Sequence, residues 1–140
     1  MSKFGIFFLL FCDSFFGNLL LYPHKEYIIF AIKYLNTANP LNIFFIGVLG
    51  FILSVVINYF CGFIAKKIYI SSMKKSKMHN YHTLLNSFQK YGWIILLFNI
   101  LPLFGKFLPF LAGFVSFGLI RTVIFCSISK IIYYSYIILL

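Results

Sequence analysis

Polar residues punctuate this chain sparingly, and the apolar blocks between them predict its elements. Residues 4–21 are apolar apart from Asp13 and Asn18. Tyr22-Pro23-His24-Lys25-Glu26 interrupts, and residues 27–35 resume as a short apolar arm. Nine residues make about 13 Å of helix, too little for a hydrocarbon core of about 30 Å. Asn36-Thr37-Ala38-Asn39-Pro40 has the composition of a turn, with Pro40 placed to open the next element. Residues 41–65 carry no charge and predict a spanning helix. On it Gly47, Gly50, Ser54, Asn58 and Gly62 recur at spacings of three and four, so they share a face. Small residues there let a second helix approach closely, and Asn58 either bonds across that contact or meets a substrate directly.

Residues 66–90 are the polar segment, with Lys66, Lys67, Lys74, Lys75, Lys77, His79, His82 and Lys90. They predict a basic cytoplasmic loop. Residues 91–113 return to apolar character but hold Pro102, Gly105, Lys106 and Pro109. Proline removes a helical N–H, glycine loosens the backbone, and a cation within an apolar run costs about 2.5–3.5 kcal/mol on insertion scales. A re-entrant segment lining a polar site has use for these features, and an ordinary spanning helix does not. Gly113 closes the stretch as another small packing position. The last segment, 119–140, spans again, with Arg121 as an interface anchor and Lys130 inside it, most simply a snorkelling lysine.

The expected architecture is an all-α polytopic membrane protein in one domain, 1–140. A broken hairpin (4–35) and a transmembrane helix (41–65) precede the basic loop (66–90). A second broken hairpin (91–118) and a second transmembrane helix (119–140) follow. Pro23 lies eighteen residues before Leu41, and Pro102 lies eighteen before Ile120. With the polar loop between them, the halves enter the membrane from opposite sides, the plan of an inverted repeat. In a competing layout, 4–21 crosses fully and 22–35 lies at the interface; the repeat favours the first.

Composition sharpens the class. Of 140 residues 62% are hydrophobic and 10% charged, more apolar surface than a domain of this size can bury, so the solvent is lipid. The net charge of +10 flanks apolar segments and fits topology and anionic headgroups, not nucleic acid. Twenty Phe and eleven Lys beside one Arg fit AT-rich codon usage. The three cysteines are scattered and read as small hydrophobes, and His79-x-x-His82 lacks companions for a metal site. No cleavage site follows the first apolar run, which reads as retained. No nucleophile triad, paired carboxylate site or glycine-rich phosphate loop is present, so neither an enzyme nor a cofactor is expected.

The breaks carry the candidate chemistry. Glu26 follows Pro23 by three residues and Lys106 follows Pro102 by four. If the breaks meet, a carboxylate and an ammonium neutralise each other in low dielectric, with Glu26 proton-responsive and His24 a relay. Lys106 and Lys130 are the headgroup or counter-charge contacts. In the plainer alternative, Lys25 and Glu26 simply lie among headgroups. The expected partners are membrane lipids with anionic headgroups, not nucleic acid, with a homo-oligomer left open.

Pro23-x-x-Glu26, Gly50 with Asn58-Tyr59-x-x-Gly62, Phe88-x-x-Tyr91-Gly92, Pro102-x-x-Gly105, Ala112-Gly113 and Lys130 occur in series over about residues 15–135. In this the chain resembles the DedA/VTT (SNARE-associated Golgi protein-like) membrane family, particularly its short YqaA-like branch. The resemblance implies re-entrant hairpins against transmembrane helices in a bacterial plasma membrane. It also implies translocation of lipids or lipid-linked carriers, in some members coupled to ions through carboxylates. Glu26 holds the family's first acidic position. The residue after Gly105 is acidic in that pattern and is Lys106 here. The expected function is lipid translocation serving membrane homeostasis. A small multidrug-type proton-coupled exporter and a non-transporting membrane scaffold are the alternatives.

Overall fold

The computed structural model describes residues 3–19, 39–72, 78–98 and 105–139, and Pro23, His24, Glu26 and Pro102 lie outside them. The described residues form helices and turns, with no strand: α1 (Lys3–Gly17), α2 (Pro40–Ser72), α3 (Met78–Leu97), α4 (Phe107–Val115) and α5 (Leu119–Leu139). Pro40 opens α2 in the position where its missing N–H is no loss, and the Asn39 carbonyl accepts from the amides of Asn42 (3.1 Å) and Ile43 (3.3 Å).

α2 is the axis of the molecule. Its 33 residues make about 50 Å of helix. Among the described residues it is the helix long and apolar enough to cross a membrane, α1 being apolar but shorter. α5, expected to be a second span, is 21 residues long and carries Arg121 and Lys130.

α1 runs alongside the first half of α2 in the same direction: Ser14 bonds at Gly47 and Asn18 meets Asn58. Gly50 makes this approach close, since a Cβ there would come within 2.8 Å of the Phe11 carbonyl oxygen. α4 crosses the second half of α2 through two opposed glycines. A Cβ on Gly62 would overlap the Phe110 carbonyl, and one on Gly113 would overlap that of Tyr59. Two backbones in contact leave no room for any side chain larger than hydrogen.

α4 ends on Ser116, which takes the left-handed conformation (φ 57°, ψ 45°). Its amide donates to the Gly113 carbonyl at 3.0 Å and that of Phe117 to Ala112 at 2.9 Å, the double bond of a Schellman-type stop. Lys66 Nζ donates to Ser116 Oγ at 2.7 Å and ties this turn to α2. The chain then reverses through Gly118 (φ 102°) into α5, which runs antiparallel to α2: Lys66 meets Ser116 at one end and Phe51 meets Lys130 further along. α3 runs in the direction of α5, with Phe88 against Phe117 and Leu97 against Ser129.

The structure corrects three expectations. The 66–90 loop is helical over 66–72, where α2 continues, and over 78–90, where α3 has begun. Lysine is a good helix former, and no proline or glycine lies between Phe63 and Tyr91 to stop the backbone. Residue 91 is not the start of a new element: α3 passes through Gly92, which is buried against the rings of Phe88 and Phe117. Pro109 is not a break. It is the third residue of α4, inside the first turn, where no intrahelical acceptor faces its nitrogen.

Candidate functional site

A polar cluster lies where α1, α2 and α5 meet, and its members are Ser14, Asn18, Asn58, Lys130 and Tyr134. α1 is apolar at most positions, but Asp13 and Ser14 turn inward at 6% and 0% exposure. Ser14 Oγ donates to the Gly47 carbonyl at 2.7 Å and lies 3.0 Å from the Tyr134 hydroxyl. Asn18 is the first residue past α1 and acts as a hub. Its Nδ2 donates back to the Ser14 carbonyl (2.7 Å), and its own carbonyl accepts from Asn58 Nδ2 (2.9 Å). Its side-chain oxygen accepts from Lys130 Nζ at 3.1 Å.

Lys130 is 8% exposed, which corrects the snorkelling expectation. Its Nζ lies 5.2 Å from the ring centroid of Phe51, 4.9 Å from Tyr133 and 5.2 Å from Tyr134. The negative faces of the rings attract the ammonium, each by about 0.5–2 kcal/mol depending on desolvation, while the Asn18 oxygen supplies a directional bond. The cage bridges two apolar clusters: Phe51 belongs to the larger, with Val55, Leu96, Ala112 and Cys126, and Tyr134 to the smaller, with Leu10 and Ile43. One turn before Lys130, the hydroxyl oxygen of Ser127 is buried with no hydrogen-bond partner.

The other sequence-derived positions are distributed around this cluster. Gly47 and Gly50 face α1, and Gly62 meets Gly113 on α4. Ser54 is buried and returns its hydroxyl to the Phe51 carbonyl at 2.7 Å, within its own helix. Gly105 and Lys106 form the turn before α4, with Lys106 half-buried at the N-terminal cap. Glu26, His24, Pro23 and Pro102 lie outside the described residues, so the Glu26–Lys106 pairing does too. No group of three His, Cys, Asp or Glu side chains able to hold a metal occurs among the described residues.

Sequence reasoning passed over Asp13, Ser14 and Tyr134 as site residues. A signal was present. Ser14 and Asn18 are four apart at the end of an apolar segment, a spacing that puts them on one side, and an acid inside such a segment, here Asp13, marks a functional position by default.

Fold and site together define a chain whose described elements are all helices, with a caged lysine and two asparagines at the contact of three of them. No family model and no solved structure matches the chain. It is similar to an uncharacterized protein of Rickettsia prowazekii (strain Madrid E), 24% identical over 135 residues that cover 96% of each chain.

Proposed function

We propose that the chain is a polytopic integral membrane protein that translocates lipids or lipid-linked carriers, with the Lys130 cluster as the polar waypoint for an anionic headgroup. The observation that carries this reading is a caged cation inside a bundle whose outer face is apolar. Along α2, Leu41, Phe45, Leu49, Leu53, Phe60 and Ile64 are all exposed, at steps of four or seven that keep them on one stripe. A stripe of exposed Leu, Phe and Ile running along one helix is poorly suited to water, and acyl chains are its natural solvent.

The helix directions support the inverted-repeat plan. α1 is parallel to α2, α3 is parallel to α5, and α2 opposes α5, so the two helix pairs point opposite ways. Lys66 and Lys67 at the far end of α2 set the cytoplasmic side by the excess of positive charge there. The buried Ser127 hydroxyl adds a donor that a polar guest could satisfy. Glu26 remains the proton-responsive group of this reading.

The test is purified protein in liposomes with a fluorescent phospholipid on the inner leaflet. Protein-dependent appearance of the probe outside is expected, reduced at least tenfold by Lys130→Met and by Glu26→Gln with insertion unchanged. No protein-dependent movement would leave the scaffold reading in place of this one.

A further inference from the structure

The exposed side chains of α3 change character partway along the helix. From His79 to Lys90 they are polar but for Leu84, whereas from Tyr91 onward they are Tyr91, Trp93, Ile94 and Phe98. On α2 the uncharged run that begins at Pro40 ends at Lys66 and Lys67. Two exposed lysines lie over aromatic rings at these points, Lys67 Nζ 5.7 Å from the Phe63 centroid and Lys90 Nζ 5.4 Å from that of Tyr91.

Both points converge on the turn between α4 and α5. Lys66 bonds to Ser116 within that turn. Phe117 packs against Phe88 at 5.7 Å and lies 3.0 Å from the position of a Cβ on Gly92, so Lys90 sits between two residues that the turn holds. The stem of Arg121 returns to it as well, its Cδ 4.0 Å from the Cβ position of Gly118. Lys67, Lys90 and Arg121 are thus three exposed cations at one end of the bundle. From Tyr27 to Leu140 the sequence holds no Asp or Glu. Asp13 belongs elsewhere, beside Ser14, which bonds at Gly47, nineteen residues and about 28 Å of helix from Lys66. Among the described residues, then, no carboxylate neutralises the three. Where exposed residues pass from polar to apolar, the phosphate layer of a bilayer supplies the counter-charge, and Trp and Tyr settle at the same depth.

We infer that Lys67, Lys90 and Arg121, set around the turn that Lys66 fixes, form a collar that gathers anionic phospholipid, and that α3 passes through the membrane surface at Lys90–Tyr91. This rests on the membrane reading proposed above and adds a surface site separate from the buried Lys130 cluster.

Trp93, the single tryptophan of the sequence, is exposed three residues after Lys90, on the same side of α3, and reports on lipid held there. The test places purified full-length protein in vesicles of phosphatidylglycerol and phosphatidylcholine at one fixed ratio, with bromine on the acyl chains of either the first lipid or the second. Both leaflets then have the same composition, so the orientation of the protein does not enter. Quenching of Trp93 is expected to be severalfold stronger per brominated anionic lipid than per brominated zwitterionic lipid, and concentrated salt should shrink the difference. Combining Lys67→Gln, Lys90→Gln and Arg121→Gln should bring the two to parity, and Lys90→Glu alone should lower the preference. Lys130→Met, which alters the buried cluster, should leave it at the parent value. Parity in the parent, absence of quenching by either lipid, a preference that survives the triple variant, or one lost with Lys130→Met overturns the collar. Carbonate extraction separates the two readings. Release of the parent chain from the membrane refutes the membrane reading itself, whereas retained protein with any of those quenching results refutes the collar alone.

Discussion

The partners of Lys130 include an amide oxygen and aromatic faces, and these fail differently when removed. Lys130→Met keeps most of the stem's packing inside the Phe51, Tyr133 and Tyr134 cage while deleting the charge. The change removes the desolvation cost of the charge but leaves the Asn18 oxygen without this donor, so the unfolding midpoint in detergent should shift little while translocation falls. Asn18→Ala has the opposite character. It leaves the Ser14 carbonyl and the ammonium without the amide and should cost about 1–3 kcal/mol, read as a lower unfolding midpoint. The double variant should cost less than the sum of the two, because the exposed partner is then absent. Residue identity at Asn18 was legible as a polar interruption of an apolar run. Its role as hub was not, since both of its long-range partners lie at least forty residues away.

At the scale of elements, helix contact is decided by backbone clearance. Gly62→Ala or Gly113→Ala forces a methyl into a carbonyl of the facing helix, and overpacking of this kind costs about 1–3 kcal/mol or more. The helix propensity gained over glycine, about 1 kcal/mol, does not offset it. Both variants should lower the unfolding midpoint of the α2–α4 contact, measured by thermal denaturation. Pro109→Ala should change it by no more than about 0.5 kcal/mol, because the first turn of α4 makes no use of that nitrogen. Spacing in the sequence marked Gly47, Gly50 and Gly62 as one face. It could not say that α1 would take the first two and α4 the third, a division set by where each short helix begins and ends. Reading a basic segment as a loop failed for a related reason: charge sets which solvent a segment prefers, and it does not interrupt backbone hydrogen bonding.

For the whole molecule, the distribution of positive charge sets its orientation in the proposed membrane reading. Replacing Lys66, Lys67, Lys74, Lys75 and Lys77 with Gln removes most of the charge asymmetry around α2. A growing fraction of chains should then insert inverted, measured with reporters fused to the C-terminus, and a fixed orientation would place the topogenic signal elsewhere. The charge exchange Glu26→Lys with Lys106→Glu should restore more translocation than either single change if the two breaks share one polar site.

The sequence by itself determined the helical class and the apolar balance from which the membrane proposal starts, 62% of residues being hydrophobic and 10% charged. It also determined where small and breaking residues lie, since these act through local backbone geometry. Only the tertiary structure decided which polar groups meet. Lys130 faces inward to Asn18 across 112 residues, and Ser14 reaches Tyr134 across 120. Contacts at such separation depend on how three helices pack, and no local pattern of residues encodes the angle at which they do.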